Sequence, residues 1–277
     1  MAKKYKVDPE VQRVIDEYNR AYDDLCKSGE LLYRARLNAA GVIAKVEDLV
    51  NSVANHPKTF DIDIGTIRSN KKLFVDAQEF AKQEYENAKK GALGAAAGVG
   101  AGGTIVAMGP TAAMWIATTF GTASTGTAIS ALSGAAATNA ALAWLGGGVI
   151  GVGGGMAAGN ALLALAGPIG WSIAGLSLLA TILLTHNKKK KIEAEKQKTI
   201  SNIKRAISST NECRCRIKDI HKRIYVLRKK LCDAESQCRE VVYGADYMSL
   251  SEDAKLALGA LVNNSLSLSE LLSETIS

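Results

Sequence analysis

Full charges are missing from 97 consecutive residues of this chain, because no Asp, Glu, Lys or Arg occurs between Lys90 and Lys188. A soluble domain needs charge on its surface, so a stretch of this length has to hide in lipid or inside an assembly. Cysteines are few and odd in number: Cys26, Cys213, Cys215, Cys232 and Cys238, with no CxxC pair. That argues against a disulfide framework and for a reducing compartment. The histidines His56, His186 and His221 lie far apart and suggest no metal site. The start, MAKKYKVDPE, lacks an apolar core of the signal-peptide kind. Cytoplasmic synthesis followed by membrane association is expected, with leaderless secretion as an alternative.

Catalytic patterns are missing too. There is no GxxxxGK[ST], no HExxH and no GxSxG. Gly98-Val99-Gly100-Ala101-Gly102-Gly103 matches GxGxxG, but a Lys-rich helical segment precedes it and no acidic residue follows for 89 residues. A dinucleotide site needs a strand before the glycines and an acid about 20 residues on, so the match is read as chance. Cys213-x-Cys215 lacks a second ligand pair. No acid–base or nucleophile constellation can be named. The expectation is a protein that is not an enzyme and needs no cofactor or metal.

What the chain has is charge gathered at the two ends. Positive and negative residues number 16 and 15 in 1–90, 16 and 4 in 188–230, and 2 and 8 in 231–277. The basic excess follows the uncharged block directly. Lysines there can meet anionic headgroups at about 1 kcal/mol each. A solvated helix face is the bland alternative, and nucleic acid is an unlikely partner, since Tyr225 alone interleaves the cations.

Two long heptad patterns frame the block. Val11, Tyr18, Leu25, Leu32, Ala39, Val46 and Val53 recur every seven residues, with Val14, Ala21, Ser28, Ala35, Val42 and Leu49 between them. This predicts one long helix, opened by Asp8-Pro9 and stopped by His56-Pro57. Residues 57–66 read as a loop. A second helix is expected from about Thr66 to Lys90, with Ile67, Phe74, Ala77, Ala81, Tyr85 and Ala88 on one face. After the block, Ile203, Thr210, Ile217, Ile224, Leu231 and Cys238 form a seam. Ile192, Thr199, Ala206, Cys213, Ile220, Leu227, Ala234 and Val241 are its partner positions. Tyr243-Gly244 ends that helix. A shorter amphipathic helix is expected over Ser251–Asn263, capped by Ser251.

The organisation expected is therefore 1–90 with two rods, 91–187 as an uncharged head, 188–243 as a basic rod, and 244–277 as a short helix and tail. The fold class is all-α, an elongated coiled-coil bundle with a glycine-rich apolar head at one tip.

Inside the block, Gly109-Pro110 and Gly167-Pro168 separate three pieces. The first carries Gly94, Gly98 and Gly102 at i, i+4 spacing. The second carries Gly126, Ser130 and Gly134, then Gly147, Gly151, Gly155 and Gly159. Such rows make side-chain-free stripes on which helix backbones pack closely, the contact that stands in for the hydrophobic effect in lipid. The third, Ala161–Leu184, is leucine-rich and 24 residues long, enough to cross a core of about 30 Å. Trp115, Trp144 and Trp171 are candidates for membrane contact. Lys89 and Lys90 before the block, and Lys188, Lys189, Lys190 and Lys191 after it, are candidates for headgroup binding. Two basic ends on one side imply an even number of spans, two or four.

The stretch Gly121–Gly159 resembles a glycine-rich signature of uncharacterised bacterial proteins. The whole layout is similar to cytolysin A-type α-helical pore-forming toxins, and more distantly to apolipoprotein L-like proteins. The longer, glycine-richer block departs from the cytolysin pattern. The resemblance implies an oligomer that inserts the block to permeabilise or remodel a membrane, as a toxin or a cell-suicide effector in antiviral defence. The expected partners are an anionic lipid bilayer, further copies of the chain and a coiled-coil partner. The alternatives are a membrane-anchored scaffold without pore activity, and a soluble cage or filament with the block buried.

Overall fold

The computed structural model of the chain describes residues 8–96 and 189–274, together with 117–119, 121, 123, 127, 129–132, 136–137 and 140–141. About 89% of the interpretable part is helical and it holds no strand, so the fold is all-α. Among the described residues, four long helices carry it: α1 (Pro9–Ser52), α2 (Lys58–Ala96), α3 (Lys189–Val242) and α4 (Glu252–Ser273).

The ends of these helices follow local chemistry. Proline at the first position of α1 gives up an N–H that has no helical partner anyway. Asp8 caps the same end: its Oδ1 accepts from Glu10 N–H at 2.9 Å and its carbonyl from Gln12 N–H at 2.9 Å. Past α1, Asn55 takes φ +55°, a left-handed conformation that asparagine tolerates and that turns the chain. α2 then begins at Lys58, which corrects the loop expected over 57–66. Phe60 and Ile64 are buried there, continuing the stripe of Ile67 and Phe74 one turn at a time. The helical spacing of these four outweighs the loop signal of Gly65 and Thr66, and Pro57 sits just ahead of the first turn. α2 also passes Lys90 without a break and runs six residues, 91–96, into the uncharged block.

Ser251 caps α4 as expected, its Oγ accepting from Ala254 N–H at 3.3 Å. The helix does not end at Asn263; it continues to Ser273. The serines expected to fray it are accommodated on their own turns. Ser265 Oγ donates to Leu261 O at 2.9 Å and Ser269 Oγ to Leu266 O at 2.7 Å. With the hydroxyls satisfied, both serines are fully buried beside Leu268, Leu271 and Leu272.

Two compact units divide the chain: the first holds 1–28, 79–215 and 275–277, the second 29–78 and 216–274. In the first, Lys196 Nζ on α3 bridges Asp8 at 3.0 Å and Glu10 at 2.8 Å on α1, and Arg214 pairs with Asp24. The partner numbers differ by 188 and 190, and a near-constant difference means that α1 and α3 run parallel. In the second unit, Arg239 pairs with Asp48 and a parallel bridge joins Ala54 to Asp246, differences of 191 and 192. The bridge consists of Ala54 N–H to Ala245 O at 2.9 Å and Tyr247 N–H to Ala54 O at 2.8 Å.

α2 runs antiparallel to α1 there, since Glu47 meets Arg68 while Tyr33 meets Phe74. α4 runs parallel to α2: Gly259 faces Phe60, and Asn70 Nδ2 donates to Ser269 Oγ at 3.0 Å, both pairs 199 apart. The second unit is thus two helical hairpins, α1–α2 and α3–α4, laid side by side in the same direction with their turns hydrogen-bonded.

The seams are buried, and the buried face is wider than the strict repeat. Eleven of the thirteen expected positions on α1 are buried; Val11 and Ala35 are only partly so. The six first-seam positions of α3 are all buried. Beside the second seam, however, burial also takes in the residue one place on, from Ile15 on α1 and Ile200 on α3 onwards. Arg36 replaces Ala35, Ile43 and Val50 join Val42 and Leu49, and Glu235 and Val242 replace Ala234 and Val241, the last now 65% exposed. A helix packed against more than one neighbour buries a face wider than a two-position seam, and the next residue lies on that face. Two charged side chains, Arg36 and Glu235, are buried on that wider face.

Candidate functional site

The candidate site from sequence is the uncharged block, and its two edges can be placed. Lys89, Lys90 and Gly94 stand on α2, and Lys189, Lys190 and Lys191 begin α3. The end of α2 and the start of α3 both belong to the first unit, so the chain leaves for the block and returns from it within one compact body. Lys188, Gly98, Gly102, Gly126, Gly134, Gly147, Gly151, Gly155, Gly159, Trp115, Trp144 and Trp171 lie outside the described residues.

The lysines at the head of α3 occupy an electrostatically adverse position. A helix N-terminus carries about half a positive charge from its aligned peptide dipoles and favours acids. α3 has no acidic residue in its first turn. The helix dipole therefore does not explain these cations. One turn and a half further on the pattern reverses. Lys196 is held charged, chiefly by its hydrogen bond to Glu10 and then by Asp8, and Asp8 is in turn held ionised by Lys196.

Part of the middle of the block is described. Ile129–Ala131 form a 3-10 turn. Ile129 N–H donates to Gly121 O at 3.0 Å, and Ala123 N–H to Thr127 O at 2.7 Å. In an α-helix the Ile129 N–H would reach residue 125. Ser130 stands in that turn, while Gly126 and Gly134 lie outside the described residues. Ala117, Thr118, Thr119, Ile129, Ala137 and Ala141 are buried. Among the described residues no helix is long and apolar enough to cross a membrane.

The second unit holds groups that heptad counting did not single out. Arg36 is 2% exposed, with Nη2 donating to Glu274 O. Burial pushes its pKa down to about 9, against the opposing pull of the Glu274 charge, so it remains a cation at neutral pH. Glu235, 3% exposed, accepts from Arg239 Nε at 2.6 Å. Arg239 also reaches Asp48 at 3.0 Å and Lys45 O at 2.8 Å, and lies 5.1 Å from the centre of the Tyr243 ring. Arginine's fork of five donors suits such a junction. The sequence does carry a signal for both buried charges: each stands one place beyond a small seam alanine.

His56 closes the α1–α2 turn. Its Nδ1 lies 2.8 Å from Val53 O and its Nε2 3.0 Å from Asp61 Oδ1. Both partners are acceptors, so only the doubly protonated ring satisfies both contacts. The pKa is raised, first by Val53 O and then by Asp61, with burial opposing. The resulting stability is fully present below the unfolded value of about 6.5 and is lost as pH rises through the higher folded value. An NMR titration of His56 should give a pKa above 6.5, and Asp61→Asn should lower it. An unshifted value would show that the contact adds nothing.

A shallow depression of about 470 Å³ is lined by Gln197, Ile200, Ser201, Lys204, Arg205 and Ser208. All six come from α3, which makes it a helix surface and not an enclosed reaction site. Among the described residues no cluster of three or more His, Cys, Asp or Glu could hold a metal ion. Comparison of the chain with protein-family models, curated proteins and solved structures finds no match.

Proposed function

We propose that this chain is a membrane-active helical protein that oligomerises and inserts its uncharged block to permeabilise or remodel a bilayer. The observation that carries this reading is the block itself, 97 residues without a full charge, together with its attachment. Both edges are charged helices of one compact unit. A block tethered at two points on the same body can enter lipid as a hairpin or pair of hairpins and leave the body behind on one face. The glycine rows supply close helix contacts inside lipid, where apolar side chains gain nothing by meeting each other. Lys188–Lys191 hold the exit at the headgroups, and an anionic phosphate there offsets the adverse charge at the head of α3. A toxin or a cell-suicide effector in defence against viruses is the biological use that fits such an activity.

Release of a trapped dye from liposomes by the purified full-length chain tests this. Release from anionic vesicles, in proportion to more than the first power of protein concentration, is expected. No release from anionic or neutral vesicles would overturn the reading.

A further inference from the structure

One face of α3 in the second unit is built unlike the other solvated faces. Between Arg216 and Lys230 there are seven cations and one acid, Asp219. Lys218, Lys222, Tyr225 and Lys229 follow at i, i+4, i+7 and i+11, so they share one helix face about 16 Å long. Val226 and Lys230 border it. All six side chains are exposed, Tyr225 at 53% and Val226 at 44%.

The usual account of such a face is plain solvation, and it meets two difficulties. Solvated helix faces interleave opposite charges, as Glu30 and Arg34 do at 2.6 Å on α1. Here no acidic side chain pairs with Lys218, Lys222, Lys229 or Lys230 among the described residues. Asp219 faces Arg223 at 3.9 Å instead. Lys218 and Lys222 are like charges one turn apart, which weakens the helix rather than supporting it. The second difficulty is the exposed Tyr225 and Val226 in the midst of the lysines. Arg228 lies 6.0 Å from the Tyr225 ring centre, to one side of the stripe.

We infer that the Lys218–Lys230 face of α3 is a peripheral docking surface for an anionic lipid bilayer. The charge complementarity is with lipid phosphates. Lysine stems can lie along apolar surface while their ammonium groups stay with the headgroups. Tyrosine is suited to the same level, ring towards the acyl chains and hydroxyl towards water, and Val226 adds apolar contact beside it. Nucleic acid is the competing polyanion. It fits less well, because the stripe has one aromatic and no Asn, Gln, Ser or Thr to meet a base edge. The inference builds on the membrane reading but is separable from it. Docking needs only the folded second unit and is reversed by salt, whereas insertion needs the block.

The test is flotation of the full-length chain with vesicles of phosphatidylglycerol and phosphatidylcholine, against phosphatidylcholine alone. Binding to the mixed vesicles should exceed binding to the neutral ones and lose that excess in high salt. A Lys222→Gln, Lys229→Gln variant should bind the mixed vesicles about thirtyfold more weakly, from roughly 1 kcal/mol per lysine and 1.4 kcal/mol per decade. Tyr225→Ala should weaken binding without changing its salt dependence, and circular dichroism of both variants should match the parent. Unchanged anionic excess in the double variant overturns the inference. So does retention of a short duplex DNA in preference to the anionic vesicles. If salt-reversible, lysine-dependent flotation is seen without dye release, the docking face stands and the insertion reading falls. If dye is released and the double variant floats like the parent, insertion stands and the docking face falls.

Discussion

Arg239→Met lowers the stability of the second unit by about 3 kcal/mol at neutral pH, the loss expected when one partner of a buried pair is removed. The buried member is Glu235, whose side chain is 4% exposed and bonded to Arg239 Nε at 2.6 Å. Methionine keeps much of the arginine stem's packing, so the loss isolates the guanidinium. Three hydrogen bonds go with it, to Glu235, Asp48 and Lys45 O, and so does the contact with the Tyr243 ring. The uncompensated carboxylate dominates, because Asp48 is 63% exposed and is rehydrated. Chemical denaturation at pH 7 checks this. In a Glu235→Gln background the same Arg239→Met change should be much milder. An equal loss in both backgrounds would show that the pair is not coupled.

The Gly151→Leu, Gly155→Leu variant is expected to lose dye release entirely while still pelleting with membranes. Two leucines on a glycine row hold helix backbones apart where van der Waals contact is the main attraction. They also add apolar surface, so partition into lipid is retained or improved. This separation distinguishes a pore-forming assembly from a simple anchor, whose attachment needs no close helix contact. Release within twofold of the parent would remove the glycine row from the mechanism. Partition of both proteins into the aqueous fraction as large particles would instead support a soluble assembly with the block inside.

These two predictions rest on different kinds of knowledge. The glycine row is a sequence pattern, visible as four residues at constant spacing. The Arg239–Glu235 junction is not visible that way. Counting by sevens places Ala234 on the seam and leaves Glu235 outside. In the folded helix Glu235 is buried and bonded to Arg239. Arg36 on α1 has the same origin, one place beyond Ala35. The carbonyl it donates to lies 238 residues away at Glu274, too distant in sequence for any local pattern to indicate. The α4 helix shows a different limit. Its serines suggest a frayed tail, since serine competes with the backbone for hydrogen bonds. Once the hydroxyls bond back to their own turn and leucines cover them, the segment remains helical.

What the sequence determined by itself was everything with a short repeat length: that the chain is helical, where α1 and α4 begin, which residues form the first seam of α3, and that one long stretch carries no charge. Such features depend on residues three to seven apart and are legible without a fold. Tertiary structure alone decided that α1 and α3 run parallel, that α4 follows α2, and that Arg36 and Glu235 are inside. These outcomes depend on contacts between residues about 190 to 240 apart.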